Sequence, residues 1–262
     1  MKQVKVIIPV YTDKLSENDW LSLKHNTEIL KRHPIVLLLP RSLSLESVAR
    51  KFPEVTDYEI IRVSDGFLGK AGILGYNRMM LSAEFYDLFS DCEYILICQT
   101  DAWIFRDDLE AWCRRGYDYV GGTWWRAGVW SWPIIRHFFP RNRRLYGKVG
   151  NGGLSLRRVA AFRRGCIRYA DRIDYYLNQS RHIYYEDVFW ALEPQDFRYP
   201  SMREAIEFSF DTHPERCLAV TGGELPFGCH GWLKPARIDF WRRFIPTATA
   251  IPTVPVVPTS HL

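Results

Sequence analysis

The sequence lacks a long apolar segment. No run of its 262 residues approaches the roughly 20 apolar residues of a transmembrane helix. The apolar part of the first segment, MKQVKVIIPVY, is also too short for a secretory signal. We therefore expect a cytoplasmic protein, and leave open a peripheral contact with a membrane surface.

Paired cysteines and a strong net charge are lacking too. The six cysteines are scattered and include no CxxC pair, which favours reduced thiols over disulfides or a zinc site. The formal net charge of +5 is too small to indicate nucleic-acid binding. It suits a smaller anionic partner such as a nucleotide phosphate. We expect no nucleic-acid partner.

No familiar phosphate-binding fingerprint is present. The segment SDGFLGKAGILG, residues 64–75, is rich in glycine, and a glycine-rich loop before a helix can approach a phosphate closely. Its spacing, however, matches neither the P-loop nor the dinucleotide fingerprint. A nucleotidyltransferase would carry a basic, glycine-rich loop directly after the first strand. The segment PVYTDKLSEN stands there instead, which counts against that class.

What the sequence does contain is an alternation of apolar runs and amphipathic segments. The run Tyr94–Cys98 predicts a strand that is buried on both faces. The other expected strands are Lys5–Tyr11, Ile35–Leu39, Tyr58–Val63 and Tyr117–Gly122, with one more after a turn within Val149–Arg157. The expected helices are Asn18–Arg32, Leu45–Lys51, Tyr76–Phe89, Asp108–Arg114 and Tyr184–Leu192, with a helical region over Val159–Asn178. This order predicts an α/β fold with a mostly parallel twisted sheet flanked by helices.

The composition predicts a single folded domain over residues 1–240. Residues 123–148 form an insertion in which tryptophan and phenylalanine alternate with arginine. Either this insertion binds an acceptor or a membrane surface, or it is a basic loop packed over the sheet by its aromatic side chains. Residues 245–262 are rich in proline and threonine and predict an extended tail.

Three polar clusters follow predicted strands or open a predicted helix. They are Thr100-Asp101, Glu186-Asp187 and His230. Two carboxylate sites and a histidine suit a hard divalent cation together with a general base. Each cluster also has a structural explanation, because acids are favoured at helix starts and turns and a buried histidine is common in cores.

The order of five motifs raises the odds of a functional role. KVIIPVY, QTDAW, NGGLSLR, EDVFW and PFGCHGW follow one another in a way that resembles the GT-A family of nucleotide-sugar glycosyltransferases. The resemblance covers residues 4–235 and is closest to an uncharacterised bacterial group of GT-A-like proteins. It implies a GT-A-like fold and inverting transfer from a nucleotide sugar, with a uridine-linked donor expected. The implied acceptor is a hydroxyl of a glycan or lipid-linked glycan in bacterial polysaccharide biosynthesis.

The resemblance also implies a donor site. Asp101, beside Thr100, would bind a divalent cation, usually manganese or else magnesium, and His230 would be the second protein ligand. The cation would neutralise the charge on the departing nucleoside diphosphate. The residues implied to flank the nucleotide are Val10, Tyr11 and Asp65 at the base and Lys70, Asn77 and Arg78 at the ribose and phosphates.

On the acceptor side, the resemblance implies that Asp187 is the general base for the acceptor hydroxyl. Glu186 is the alternative, or a hydrogen-bond partner of the acceptor. Gly152 and Gly153 would give the backbone room to approach the donor sugar. The candidates for stacking on a sugar face are Trp124, Trp125 and Trp232.

The sequence departs from the family pattern at QTDAW, where only one acid, Asp101, remains. Either Asp101 and His230 suffice with water completing the cation's shell, or a basic site built from Lys70 or from arginines of residues 136–148 replaces the metal. A protein that keeps the fold and binds a nucleotide sugar without catalysis is a further alternative. It predicts that Asp187→Asn leaves the biological role intact. Retention of configuration at the sugar also stays open.

Overall fold

The computed structural model describes residues 2–125, 144–179, 181 and 184–247. Two sheets lie within these ranges. The strands are β1 (Lys2–Pro9), β2 (Ile35–Pro40), β3 (Glu59–Val63), β4 (Cys92–Cys98), β5 (Ala102–Ile104), β6 (Tyr119–Gly121), β7 (Leu154–Arg158), β8 (Ser209–Phe210) and β9 (Gly228–His230). The larger sheet has the order β3-β2-β1-β4-β7-β6, and the smaller has the order β5-β9-β8.

Helices lie between these strands along the chain. They are α1 (Glu17–Ile29), α2 (Leu45–Ala49), α3 (Gly72–Met80), α4 (Ala83–Asp87), α5 (Leu109–Arg114), α6 (Val159–Arg168), α7 (Ala170–Leu177), α8 (Glu186–Leu192), α9 (Met202–Phe208), α10 (Pro214–Val220) and α11 (Pro235–Trp241). None of the helices in the described ranges is long and apolar enough to cross a membrane.

The larger sheet is mostly parallel, as predicted. β1 pairs in parallel with β2 and β4, and β2 with β3. β7 runs against both of its neighbours, β4 and β6. Because of this reversal, the start of β7 lies beside the end of β4, where Cys98 pairs with Leu154 and the Gln99 amide donates to the Gly153 carbonyl over 2.8 Å. The NGG segment is thereby placed at the carboxyl edge of the sheet, where ligands of open α/β sheets bind.

The central strand β4 is buried on both faces, which confirms the prediction. Tyr94 and Leu96 belong to one hydrophobic cluster, and Ile95 and Ile97 to a second cluster on the opposite face. Each side chain of this kind contributes about 1.5–3 kcal/mol when it leaves water. β4 therefore fixes the middle of the fold, and its carboxyl end has a defined position.

The structure differs from the sequence prediction at several element boundaries. The single helix expected over Tyr76–Phe89 is two helices, α3 and α4, because the Ser82 hydroxyl accepts a hydrogen bond from the Phe85 amide and starts a new helix. The helical region Val159–Asn178 is likewise divided at Tyr169. The strand expected over Tyr117–Gly122 is limited to β6.

The predicted insertion and tail lie mostly outside the described residues. Residues 126–143 and 248–262 are not among them, so the roles predicted for these segments stay predictions. The folded part continues past residue 240, since Ile245 is 2% exposed and packs on a third hydrophobic cluster with Trp241 and Phe240. The extended tail therefore does not begin at Ile245.

Candidate active site

Three adjoining cavities open at the carboxyl edge of the larger sheet. The central cleft has a volume of about 450 Å³. Its wall includes Tyr76, Asn77, Trp124, Asn151, Gly152, Gly153, Tyr185, Glu186, Asp187, Asp211, His230, Lys234 and Arg237. A strand-edge pocket of about 260 Å³ lies between Pro9, Tyr11 and Tyr76, and an Asp101 pocket of about 430 Å³ lies between Tyr11, Asp101 and Lys234. Gln99 lines all three cavities.

Asp101 and His230 are brought together by the pairing of two short strands. Ala102 of β5 pairs with His230 of β9, and the Gly231 amide donates to the Asp101 carbonyl over 3.0 Å. In this register Asp101 Oδ1 lies 3.2 Å from His230 Nε2. Burial alone would lower the pKa of His230, but the carboxylates of Asp101 and Asp211 outweigh it and raise that pKa to about 9.

Asp211 is a second carboxylate beside the same histidine. Its Oδ1 lies 3.7 Å from His230 Nδ1 and accepts a 2.9 Å hydrogen bond from Arg237. Burial opposes the ionised form of Asp211, but the His230 and Arg237 charges hold its pKa below the usual value. Lys234 lies next to this group and lines both the central cleft and the Asp101 pocket. The floor of the site therefore carries alternating acidic and basic groups.

Glu186 and Asp187 open α8 in the wall of the central cleft, but their environments differ. Glu186 is 2% exposed, and Arg157 Nη2 donates to its Oε1 over 3.1 Å. The Glu186 amide donates to Asn77 Oδ1 over 3.0 Å, which fixes the start of the helix. Asp187 is half-buried; desolvation and the nearby Glu186 charge raise its pKa to about 7. A carboxylate with this pKa suits a general base near neutral pH.

Besides His230 Nδ1, two polar atoms in the wall of the cleft have no hydrogen-bond partner among the described residues. They are the Glu186 Oε2 acceptor and the Asn151 Nδ2 donor, and both atoms are buried. Asn151 also has a φ of 147°, which is rare for a residue with a side chain, and its Oδ1 accepts from the Gly153 amide over 3.1 Å. Buried polar atoms are normally paired, and strained backbone concentrates at functional sites. A ligand with hydroxyl groups would satisfy both atoms.

Gly152 and Gly153 line the central cleft, and the structure gives a reason for glycine other than room for a donor sugar. A Cβ atom on Gly152 would lie 2.3 Å from Glu186 Oε1, and one on Gly153 would lie 2.0 Å from His230 Nε2. The space is taken by two polar side chains of the site itself. The two glycines are needed so that Glu186 and His230 can approach the loop.

The three tryptophans proposed for sugar stacking separate in the structure. Trp124 lines the central cleft. Trp125 instead donates from Nε1 to Cys217 Sγ over 3.3 Å and packs on the third hydrophobic cluster. Trp232 is fully buried, packs edge-on against Trp103, and donates from Nε1 to Ser22 Oγ over 3.1 Å. The stacking prediction is therefore wrong for Trp232, whose ring is part of the core.

The residues predicted to flank the nucleotide also separate. Tyr11 is 49% exposed and lines two of the cavities, and Thr100 lines the Asp101 pocket. The Val10 side chain is fully buried in the first hydrophobic cluster, so only its backbone could meet a ligand. Asn77 lines the cleft, although its side-chain oxygen is occupied by the Glu186 amide.

Three further predicted residues are not in the walls of these cavities. The Asp65 carboxylate binds the amide and hydroxyl of Ser42, and Arg78 Nη1 donates to the Gly66 carbonyl over 3.4 Å. Lys70 is exposed, and its charge acts on Asp65. Within the described part of the chain, these residues hold or surround the loop after β3 and do not touch the three cavities.

Several site residues were missed by sequence reasoning. The most important are Asn151, Asp211, Lys234 and Arg237. Asn151 stands directly before the two glycines that were noticed, so its position in NGGLSLR was the available signal. Asp211 follows β8 as Asp101 follows β4, but a two-residue strand gives no pattern from which to predict its end.

Asp101 and His230 lie close enough together to bind one divalent cation. Two adjacent ligands of an octahedral cation at about 2.05 Å lie about 2.9 Å apart, and the 3.2 Å between Asp101 Oδ1 and His230 Nε2 is close to this value. No group of three or more acidic, histidine or cysteine side chains within the described ranges could hold a metal alone. Once His230 has released its proton, the pair could supply two ligands to a cation of the magnesium or manganese type, with phosphates and water as the other ligands.

The sequence and the fold can be compared with those of known proteins. Residues 57–230, more than half of the chain, match the profile of a family described as "Protein of unknown function (DUF5672)". The chain belongs to this family. No curated protein matches the chain in sequence. The DUF5672 assignment does not indicate an activity, so an inference about activity depends on the fold and the site.

Solved structures share the fold of this DUF5672 protein at low sequence identity. One is the galactosyltransferase LgtC in complex with donor and acceptor sugar analogues, with a TM-score of 0.59, 13% identity, and coverage of 89% of this chain and 88% of that one. An active-site mutant of LgtC gives 0.57 and 15%, covering 94% and 92%. A glycosyltransferase involved in glycosylation of the major capsid of PBCV-1 gives 0.51 and 9%, covering 92% and 98%. These likenesses establish the GT-A-like fold.

Proposed function

We propose that this protein is a glycosyltransferase that moves a sugar from a nucleotide-sugar donor, with UDP as the expected nucleotide, to a glycan hydroxyl. The observation that carries the proposal is the arrangement of two adjoining cavities, with Asp101 and Lys234 in the Asp101 pocket, beside His230, and Asp187 in the central cleft. The first group suits a diphosphate and the second a hydroxyl that must lose its proton. The fold shared with a galactosyltransferase that holds donor and acceptor sugar analogues supports the same interpretation.

The charges in the Asp101 pocket suit a nucleoside diphosphate. Lys234 lies beside Asp101 in the wall of this pocket, and its charge acts on both Asp101 and Asp211. Asp101 and His230 would hold a manganese or magnesium ion, which when bound supplies positive charge to the leaving diphosphate. Tyr11 borders the same pocket and offers an exposed aromatic ring for the base.

The central cleft, where Asp187 lies, suits deprotonation of an acceptor. Asp187 has a pKa raised to about 7, so that near neutral pH a large fraction is ionised while its affinity for a proton is high. Attack of the deprotonated hydroxyl from the side opposite the diphosphate inverts the sugar carbon. Trp124 and Tyr185 line the cleft and offer aromatic surface to the acceptor.

The acceptor is proposed to be a glycan or a lipid-linked glycan of a bacterial polysaccharide pathway. A peripheral contact with the cytoplasmic face of a membrane would bring such an acceptor to the cleft. These proposals rest on the motif resemblance described above. Transfer assays with free glycans and with lipid-linked glycans decide between the two acceptor classes.

Thermal unfolding with nucleotides tests the donor site. UDP, GDP, UDP-glucose, UDP-galactose and UDP-N-acetylglucosamine are each added with and without MnCl₂. A ligand that binds only the folded protein stabilises it by about 2.7 kcal/mol at a hundredfold excess over its dissociation constant. We expect a shift with UDP and one UDP-sugar, larger with manganese, and reduced in Asp101→Ala and Lys234→Ala. Asp239→Ala and Lys24→Ala change exposed residues of the same type away from these cavities and serve as controls.

The outcomes distinguish the alternatives. A shift in unfolding temperature that does not depend on manganese supports the transferase and contradicts the role of the cation. Binding of a UDP-sugar without release of UDP in the presence of any glycan or lipid-linked acceptor indicates a binding protein. No shift with any nucleotide contradicts the proposed function. Where transfer occurs, the anomeric configuration of the product, read by NMR, decides between inversion and retention.

A further inference from the structure

Arg157 is an arginine inside the core of the protein. It is the fourth residue of β7 and is fully buried. The strand alternates, so that Leu154 and Leu156 belong to the first hydrophobic cluster while Arg157 points to the opposite face. There its guanidinium lies over the rings of Phe162 and Tyr119, at 5.2 and 5.5 Å from their centroids.

The hydrogen bonds of Arg157 form a fixed bridge from the core to the cleft. Its Nε donates to Ser155 Oγ over 3.0 Å and its Nη1 to the Tyr86 hydroxyl over 3.1 Å. Its Nη2 donates to Glu186 Oε1 over 3.1 Å. Tyr86 is itself fully buried and donates to the Met80 carbonyl over 2.9 Å. The planar guanidinium is therefore held in one orientation, and it fixes the carboxylate at its far end.

Stability does not account for this pair. A buried ion pair can often be replaced by apolar side chains of similar volume without loss of stability, because desolvation offsets the attraction. The surroundings of Arg157 are largely aromatic, with the Ser155 and Tyr86 hydroxyls as polar exceptions. What an apolar pair could not do is keep a charged carboxylate in the wall of the cleft. Glu186 is 2% exposed yet lines the cleft, and its Oε2 has no partner among the described residues.

We propose that Arg157 is a positioning residue, which holds Glu186 by Oε1 so that Oε2 is a fixed acceptor for a hydroxyl of the donor sugar. This inference rests on the proposed function. Asn151 Nδ2, the unpartnered donor in the same wall, would give a hydrogen bond to the oxygen of a neighbouring hydroxyl. Arg157 does not line the cleft, and its hydrogen bond to a residue of the cleft wall is the one to Glu186 Oε1. The diphosphate end, at Asp101 and Lys234, is served by other residues.

The experiment measures two dissociation constants by calorimetry, one for UDP and one for a UDP-sugar. The UDP-sugar is the one that the wild-type protein binds most tightly among UDP-glucose, UDP-galactose and UDP-N-acetylglucosamine. In Arg157→Met we expect the affinity for the UDP-sugar to fall by about tenfold or more, since a hydrogen bond to a charged group is lost, while the affinity for UDP changes by less than about twofold. Arg157→Lys should give an intermediate loss, because an ammonium cannot bond Ser155, Tyr86 and Glu186 in one plane.

A double-mutant cycle separates positioning from a structural role. Glu186→Gln should show the same sugar-specific loss, and Arg157→Met/Glu186→Gln should be no worse than Glu186→Gln alone, because Arg157 acts through Glu186. The double variant also removes the uncompensated buried charge, so it and Arg157→Lys keep the test available if Arg157→Met is too unstable to assay. Arg158→Met is the matched control, since Arg158 is next in the strand and pairs with Asp118 and Tyr94 away from the cleft.

Equal losses for UDP and the UDP-sugar in the Arg157 variants would overturn the positioning role. The positioning role would also be overturned if the loss of affinity in the double variant equalled the product of the losses in the two single variants, since independent effects on structure combine in that way. If the wild-type protein binds neither UDP nor any UDP-sugar, the proposed function itself fails and this inference fails with it. If the wild-type protein binds both and the Arg157 variants bind both normally, only this inference fails.

Discussion

Glu186 and Gly152 are in such close contact that a side chain at position 152 has no room. A Cβ atom there would lie 2.3 Å from Glu186 Oε1, the oxygen that accepts from Arg157. The same relationship holds between Gly153 and His230, at 2.0 Å. The loop before β7 is therefore packed against polar groups from two distant parts of the chain.

Gly153→Ala should displace His230 and weaken the folded state. We expect a loss of about 1–3 kcal/mol in the free energy of unfolding, as is typical of an added methyl group in a filled space. The measurement is urea denaturation. Gly66→Ala is the control, because a Cβ there meets its nearest neighbour, Ser64 Oγ, at an ordinary 3.5 Å. Equal stability of the two variants would show that the loop can move away from His230.

The reaction should depend on pH through Asp187. Its pKa is raised to about 7, and a general base acts only when deprotonated, so kcat should rise with pH and level off above about pH 8. Asp187→Asn should abolish this limb together with most of the activity. A rate that does not vary between pH 5 and 9 would assign the proton transfer to another group.

Asp187 should also make stability depend on pH. The folded protein binds a proton at this site more tightly than the unfolded chain does, so the contribution of Asp187 to stability falls as pH rises from about 4 to 7. Relative to wild type, Asp187→Asn should therefore be more stable at pH 8 than at pH 4.5. The check is the difference in free energy of unfolding between the two proteins at each pH.

The Asp101–His230 pair should make stability depend on pH in a higher range, between about pH 6.5 and 9. The His230 pKa is raised to about 9, so the stabilisation is complete below about pH 6.5 and is lost as pH rises through 9. In buffer without divalent cations, wild type should lose stability between pH 7 and 10, while His230→Gln should lose less. Parallel curves for the two proteins would mean that the pair does not hold the proton.

Trp232 should matter for stability and not for ligand binding. Its ring is fully buried within the third cluster, edge-on against Trp103, and Trp232→Ala should cost about 3–5 kcal/mol. Trp124→Ala removes a ring from the cleft wall and should instead weaken binding or transfer at the acceptor end. In denaturation, Trp232→Ala should lose more stability than Trp124→Ala. In transfer assays, Trp124→Ala should lose more activity than Trp232→Ala.

Much of the fold follows from local pattern, because a run such as Tyr94–Cys98 can be satisfied only by burial on both faces. The boundaries that could not be predicted depend on single caps, as at Ser82, where one hydroxyl starts a new helix inside a continuous amphipathic pattern. The short strands β5, β8 and β9 are too brief to carry any period, and yet they place Asp101, Asp211 and His230.

The mostly parallel sheet and the polar groups at Asp101, Glu186-Asp187 and His230 could be predicted from residue pattern, because alternating apolar runs and isolated polar residues are local properties. Which of these groups meet depends on strand pairing and helix packing, which the local pattern does not contain. Asp101 and His230 face each other through strand register, and the buried Arg157 hydrogen-bonds Glu186 and not its chain neighbour Asp187. The Trp232 ring lies in the core and the Trp124 ring lines the cleft. This difference could not be predicted, because the direction in which an aromatic ring points depends on contacts between residues far apart in sequence.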